Sequence, residues 1–243
     1  MDLRHITVEP RGAQRRILLS GTPMTLAEAR ELEWAFIEIA EQPDVRVVVV
    51  GANGSDFCSG AADDLDPLRS GVNPAAALAA IACPVIVAAH GRTHSVGLEI
   101  ALAADIRIAD DEATFAMAQV DHDRLPCWGG TQRLPRLAGP SMAALMLLAA
   151  VEIDASQAHQ CGMVQRVVGD VGLAVDEIAT QLEALAPLAL AATKQALSTG
   201  PEMPMRQALE FEGDLNHLLQ TTADRAEGLR AFFDKRPARF EGR

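Results

Sequence analysis

Two glycine-containing segments, Phe57-Cys58-Ser59-Gly60-Ala61-Ala62-Asp63-Asp64-Leu65 and His90-Gly91-Arg92-Thr93-His94-Ser95-Val96-Gly97-Leu98-Glu99, each follow a run of buried-strand character. The second leads directly into an apolar helix. A turn from strand to helix leaves its first backbone N–H groups without intrahelical acceptors, so two such turns aimed at one point form a hole for an oxyanion. Glu99 adds a carboxylate to the first turn of the second helix, where the helix dipole favours it. It lies four residues after Ser95, whereas a capping box needs three, so local capping does not account for it.

Two other chemistries partly fit the same segment. Thr93-His94-Ser95-Val96-Gly97 approaches the G-x-S-x-G nucleophile elbow of a serine hydrolase but lacks its first glycine. His90 and His94 are spaced as helical zinc ligands, yet they fall on a strand end and a turn with no third ligand evident, so no metal site is expected.

The elements that must position these groups follow from periodicity. ITVEP and RRILLSG alternate around Arg11–Gly12, which predicts an opening hairpin. Leu26, Ala29, Leu32, Phe36, Ile37 and Ile39 recur at helical spacing behind Thr25, and Thr25-x-x-Glu28 reads as a capping box, giving a helix over about 26–41. VRVVVVGANG and PVIVAAHG read as strands buried on both faces, with a helix of Ala75–Ile81 between them. A helix GLEIALAAD, a strand IRIA and a helix MAALMLLAA continue the alternation, which argues for an α/β architecture. After Gly172 only helical periods remain, so the expected organisation is a core over residues 1–172 and a helical C-terminal region over 173–243.

Composition narrows the function. The chain has 243 residues and a formal net charge of −12, and its only lysines are Lys194 and Lys235. No run of basic residues supplies the field that a nucleic acid requires, so nucleic acid is not an expected partner. Cys58, Cys83, Cys127 and Cys161 form no CxxC pair, and MDLRHITVEP has no apolar signal core, so a reducing cytoplasm is the expected compartment. The uncharged stretch from Ser70 to Gly91 contains Asn73, Pro74 and Pro84 and reads as buried core, so no membrane association is expected.

Taken together, FCSGAADDL, CPVIVAAHGRTHSVGLEIALAADIRIADDEATFAMAQ, PCWGGTQRLPRLAG, the Ala155–Val164 stretch and AFFDKRPARF resemble the crotonase, or enoyl-CoA hydratase/isomerase, superfamily. The resemblance implies a spiral of ββα units with a C-terminal helical trimerisation region. It also implies an acyl-CoA thioester as substrate, coenzyme A entering as part of it with no separate cofactor, and a homotrimer or hexamer. By motif position the backbone amides of Ala61 and Val96 would hold the thioester oxygen, with Val96 standing where a glycine is usual. Glu99 matches one of two glutamates that work on water and carbon; Gln119 occupies the place of the other, and an amide does not exchange protons in this pH range. Asp121 and Asp123 are the nearest replacement carboxylates. Gly60 and Gly97 would line the substrate, and Phe232 and Lys235 match the family's C-terminal contribution to binding.

The expected activity is therefore reversible hydration of a 2-enoyl-CoA. A single-base double-bond isomerase and a non-catalytic acyl-CoA-binding protein of the same fold are the alternatives.

Overall fold

The computed structural model describes residues 3–243. In chain order the strands are β1 (Thr7–Arg11), β2 (Gln14–Leu19), β3 (Val47–Ala52), β4 (Val85–Ala89), β5 (Arg92–His94), β6 (Ile106–Asp110), β7 (Thr114–Ala116), β8 (Ile153–Asp154) and β9 (Arg166–Val168). The helices are α1 (Leu26–Ala40), α2 (Pro74–Ala79), α3 (Val96–Ala103), α4 (Gly130–Ala138), α5 (Pro140–Leu148), α6 (Ala155–Gln160), α7 (Val171–Glu183), α8 (Pro187–Thr199), α9 (Met205–Leu219) and α10 (Ala223–Asp234).

Among the described residues the strands form two sheets, β1-β2-β3-β4-β6-β9 and the smaller β5-β7-β8. Only β1–β2 and β7–β8 pair antiparallel. Two successive steps of the spiral place one strand in the large sheet and the next in the small one, β4 then β5 and β6 then β7, with α3 between the two steps. The three-residue strands β5 and β7 are not evident in the sequence, where Arg92–His94 reads as part of a turn and Thr114–Ala116 is assigned to no element. They are too short for alternation to register, and parallel pairing of Thr93 with Phe115 fixes them instead.

Val47, Val49, Ile86 and Ile108 face one side of the large sheet, where Ala174, Val175 and Ala179 of α7 cover them. Their neighbours Val48, Val50, Val85 and Val87 join α1, α2 and α3 in the main core on the other side. Burying a valine is worth roughly 1.5–3 kcal/mol, so both faces hold the sheet. Thus α7, placed by the sequence reading in region 173–243, packs as a layer of the sheet, and α8 is the first helix beyond it. Thr25 caps α1 by accepting from the Glu28 N–H at 3.1 Å, as expected. The reciprocal half of the box is absent, because the Glu28 carboxylate accepts instead from the Ser20 N–H at 2.9 Å and its hydroxyl at 3.0 Å, tying α1 to the end of β2. No helix among the described residues is long and apolar enough to cross a membrane.

Candidate active site

The two glycine-containing turns lie side by side because backbone bonds hold them there. Cys58 donates its N–H to Arg92 O at 3.0 Å, and the His94 N–H donates to Cys58 O at 2.9 Å. A Cβ on Gly97 would stand only 2.5 Å from the Cys58 Cβ, so glycine is what lets the start of α3 meet the first turn. The Cys58 thiol is a packing group: burial pushes its pKa up to about 11, and its Sγ–H points at Gly60 O at 3.3 Å.

The direction of the Ala61 amide follows from its neighbours. Met24 donates its N–H to Gly60 O and accepts from the Ala62 N–H, each at 2.8 Å, so in this extended stretch the intervening Ala61 N–H faces the opposite edge. Ala61 itself is exposed, which leaves that edge open to a ligand. Gly60 permits the bend, with φ of +137°.

Val96 is the first residue of α3, where an N–H has no intrahelical acceptor. Among the described residues no hydrogen bond occupies the N–H of Ala61 or Val96. The Val96 side chain is buried, so its bulk bears on the packing beneath the turn while its backbone donor is kept.

Ser95, just before Val96, holds φ 50° and ψ −116°, a conformation that costs a non-glycine residue of order 1–3 kcal/mol, and its side chain makes no cap to α3. The Ser95 N–H donates to Ala116 O at 2.8 Å, so the second sheet pins the strained turn. The hydrolase reading does not assemble around it. His94 bonds Thr114 Oγ1 at 3.0 Å and Glu152 Oε2 at 3.1 Å, while His90 bonds Gly54 O at 3.0 Å.

Glu99, one turn into α3, is 1% exposed. Its Oε1 accepts from the N–H groups of Trp128 at 2.7 Å and Gly130 at 2.9 Å, the latter at the N-terminal end of α4. Its Oε2 accepts from Gln119 Nε2 at 3.3 Å. Burial raises the Glu99 pKa above its ordinary value, against the opposing pull of backbone donors at Gly130, Trp128 and Cys127 and of the Arg133 charge. Gly130 is as constrained as Gly97, since a Cβ there would sit 3.2 Å from Glu99 Cγ and 2.9 Å from Pro126 Cβ.

The structure therefore brings Glu99 and Gln119 together and leaves Asp121 and Asp123 out. Both aspartates are exposed around a 3-10 turn spanning Gln119–His122, and the second carboxylate that they would have supplied is absent from the Glu99 group. Phe232 is 78% exposed on α10, and Lys235, exposed at its end with φ 52°, has no bond to this group among the described residues.

Sequence reasoning missed Trp128. Its backbone N–H holds Glu99, its indole Nε1 donates to Val72 O at 2.8 Å, and it is fully buried. Arg133 completes the loop by donating to Trp128 O at 2.6 Å. The available signal was a tryptophan abutting Gly129-Gly130-Thr131, since so large a residue next to a glycine pair has to be packed by something.

An acidic helix residue beside two open backbone donors is the arrangement that the sequence motifs imply, and comparison with known proteins decides its kinship. The sequence model of the family described as enoyl-CoA hydratase/isomerase matches residues 23–243. The chain belongs to that family, within the crotonase superfamily. It is 35% identical over 233 residues to (E)-benzylidenesuccinyl-CoA hydratase of Thauera aromatica, covering 90% of each chain. It is also 35% identical over 243 residues to 2,3-dehydroadipyl-CoA hydratase of Escherichia coli strain K12, covering 96% of this chain and 93% of that one. The crystal structure of an enoyl-CoA hydratase from Bacillus anthracis superposes with a TM-score of 0.88 at 30% identity, over 99% of this chain and all of the other. The ββα spiral and the helical C-terminal region are thus those of the crotonase fold.

Proposed function

We infer that this family member is a hydratase-like enzyme that adds water reversibly to the 2,3 double bond of a 2-enoyl-CoA thioester. The observation that carries the reading is Glu99: a fully buried carboxylate with Oε1 saturated by two backbone donors and Oε2 met only by an amide. Oε2 is accordingly the basic atom. The Ala61 and Val96 N–H groups take the thioester oxygen as negative charge develops on it, a role that needs backbone donors and no particular side chain. Acid–base chemistry and an oxyanion hole are all that the reaction demands, so coenzyme A enters only as the substrate's carrier.

Gln119 leaves one ionisable carboxylate in the site, which also favours a second reading, an enoyl-CoA isomerase, because moving a proton between two carbons needs only one base. Four free cysteines suit a reducing, cytoplasmic setting.

For assembly we propose a homotrimer, or a pair of trimers, through the C-terminal helices. Leu197, Leu209, Leu218, Leu229, Phe232 and Phe233 stand exposed along α8–α10, and a cleft of about 440 Å3 lined by Ala79, Ala80, Ala191 and Leu218 opens between α2, α8 and α9. In that assembly Phe232 and Lys235 serve a neighbour's coenzyme A.

The test is loss of the conjugated thioester absorbance of crotonyl-CoA, with Glu99→Gln in parallel. Consumption by the wild type alone supports the reading. A wild type that binds the thioester but neither hydrates it nor moves a double bond would instead be a non-catalytic binder.

A further inference from the structure

Gln119 carries a buried oxygen with no partner. Its Oε1 is sealed from solvent and accepts no hydrogen bond among the described residues, while Nε2 of the same amide donates to Glu99 Oε2. A buried acceptor without a donor is costly, which makes it a place where a donor binds. Rotating the amide by half a turn gives no relief, because it would set Oε1 against the Glu99 carboxylate oxygen. The anion thus dictates which end of Gln119 faces it and leaves the carbonyl end short of a donor. A water molecule has two hydrogens to give, and Oε1 and Glu99 Oε2 are two adjacent acceptors.

Resting on the hydratase reading, we propose that, once substrate binding opens room at Gln119 Oε1, that atom and Glu99 Oε2 hold the reacting water between them, and that Glu99 alone performs both proton transfers. Water donates one hydrogen to each acceptor, which turns an oxygen lone pair toward carbon 3 of the enoyl group. Glu99 Oε2 takes its proton as the carbon–oxygen bond forms. The electron pair of the double bond moves onto the thioester oxygen at the Ala61 and Val96 amides. The protonated Glu99 then returns that proton to carbon 2 as the oxyanion collapses to a carbonyl. One water has been added and the carboxylate is restored. Because one group on one side of the substrate does both, hydrogen and hydroxyl arrive on the same face.

The charged and titratable groups facing Glu99 are few. Arg133 reaches it from α4, and the Cys127 thiol, raised above its ordinary value by burial and by the charges of Glu99 and Asp66, lies in the intervening loop. Neither supplies an ionisation between about pH 5 and 8, so Glu99 sets the profile there by itself.

The experiment is kcat and KM for crotonyl-CoA across that range for the wild type, Gln119→Leu and Gln119→Glu, with folding checked by circular dichroism. In the wild type kcat/KM rises through one ionisation and then levels. Gln119→Leu, folded, loses roughly a hundredfold in kcat with little change in KM. Gln119→Glu recovers activity over the leucine variant and acquires a falling alkaline limb, because two adjacent carboxylates then share a proton. A falling limb between pH 5 and 8 in the wild type, or a folded Gln119→Leu with undiminished kcat, overturns this assignment and leaves the hydratase reading standing. No hydration by the wild type removes both.

Discussion

Glu31 and Glu99 are both helical glutamates withdrawn from solvent, and the protein treats them in opposite ways. Around Glu31 in α1 the incoming chain wraps so that Oε2 accepts from the N–H groups of His5 at 2.8 Å, Arg4 at 3.0 Å and Ile6 at 3.3 Å, and Oε1 from His5 Nδ1 at 2.8 Å. Burial alone would raise its pKa, but the His5 imidazole and these backbone donors outweigh it and hold the carboxyl below its ordinary value. At Glu99 burial wins, because one oxygen is saturated and the other is nearly bare. Burial, then, does not make a base; an oxygen left short of donors does.

Removing each charge in turn separates the two glutamates most sharply. Glu99→Gln is expected to lower kcat/KM by roughly a thousandfold, within the range for a general base, while leaving the thermal midpoint unchanged or higher. Steady-state kinetics and a melt on the same sample check both halves. Glu31→Gln should do the reverse, costing about 1–3 kcal/mol of stability by leaving backbone donors short, with turnover per folded molecule intact; urea unfolding measures it. A Glu31 variant that lost turnover while remaining fully folded would break the distinction.

Ser95→Gly relieves the strained turn and should gain about 1 kcal/mol, after allowing for the greater freedom of glycine in the unfolded chain. Smallest is a pH dependence of stability with opposite signs at the two glutamates. The Glu31 contribution is complete above the unfolded carboxyl value and is lost as pH falls through its lowered folded value. Glu99, raised when folded, costs stability as pH climbs from its ordinary value of 4.5 through the raised one. The stability advantage of Glu99→Gln over the wild type should therefore grow across that window, and urea midpoints at several pH values would show it.

Much of this was legible in the sequence where a pattern is local. Thr25 marks the start of α1, the valine run marks β3, and Gly60, Gly97 and Glu99 stand at recognisable places in ordered motifs. What could not be read there depends on partners far along the chain. Thr25-x-x-Glu28 has the letters of a capping box, yet Ser20 competes successfully for the Glu28 carboxylate. Asp121 and Asp123 are nearer to carboxylate chemistry by residue type than Gln119, but the 3-10 turn directs Gln119 to Glu99 and leaves both aspartates in water. Trp128 and α7 were missed as parts of the site and of the sheet packing because each acts through contacts that no local period encodes: Glu99 and Val72 for the one, the valines of β3 for the other.

Titration of the Glu99 carboxyl itself in the unliganded enzyme, by carbon NMR of labelled glutamate with Glu99→Gln to assign the signal, asks whether this carboxylate is poised as a base. A midpoint above the ordinary 4.5 is expected, coinciding with the acid limb of kcat/KM, which reports the free enzyme. A midpoint at or below that value, alongside Glu31, would contradict it, because a carboxylate so well satisfied would have no reason to take a proton from water.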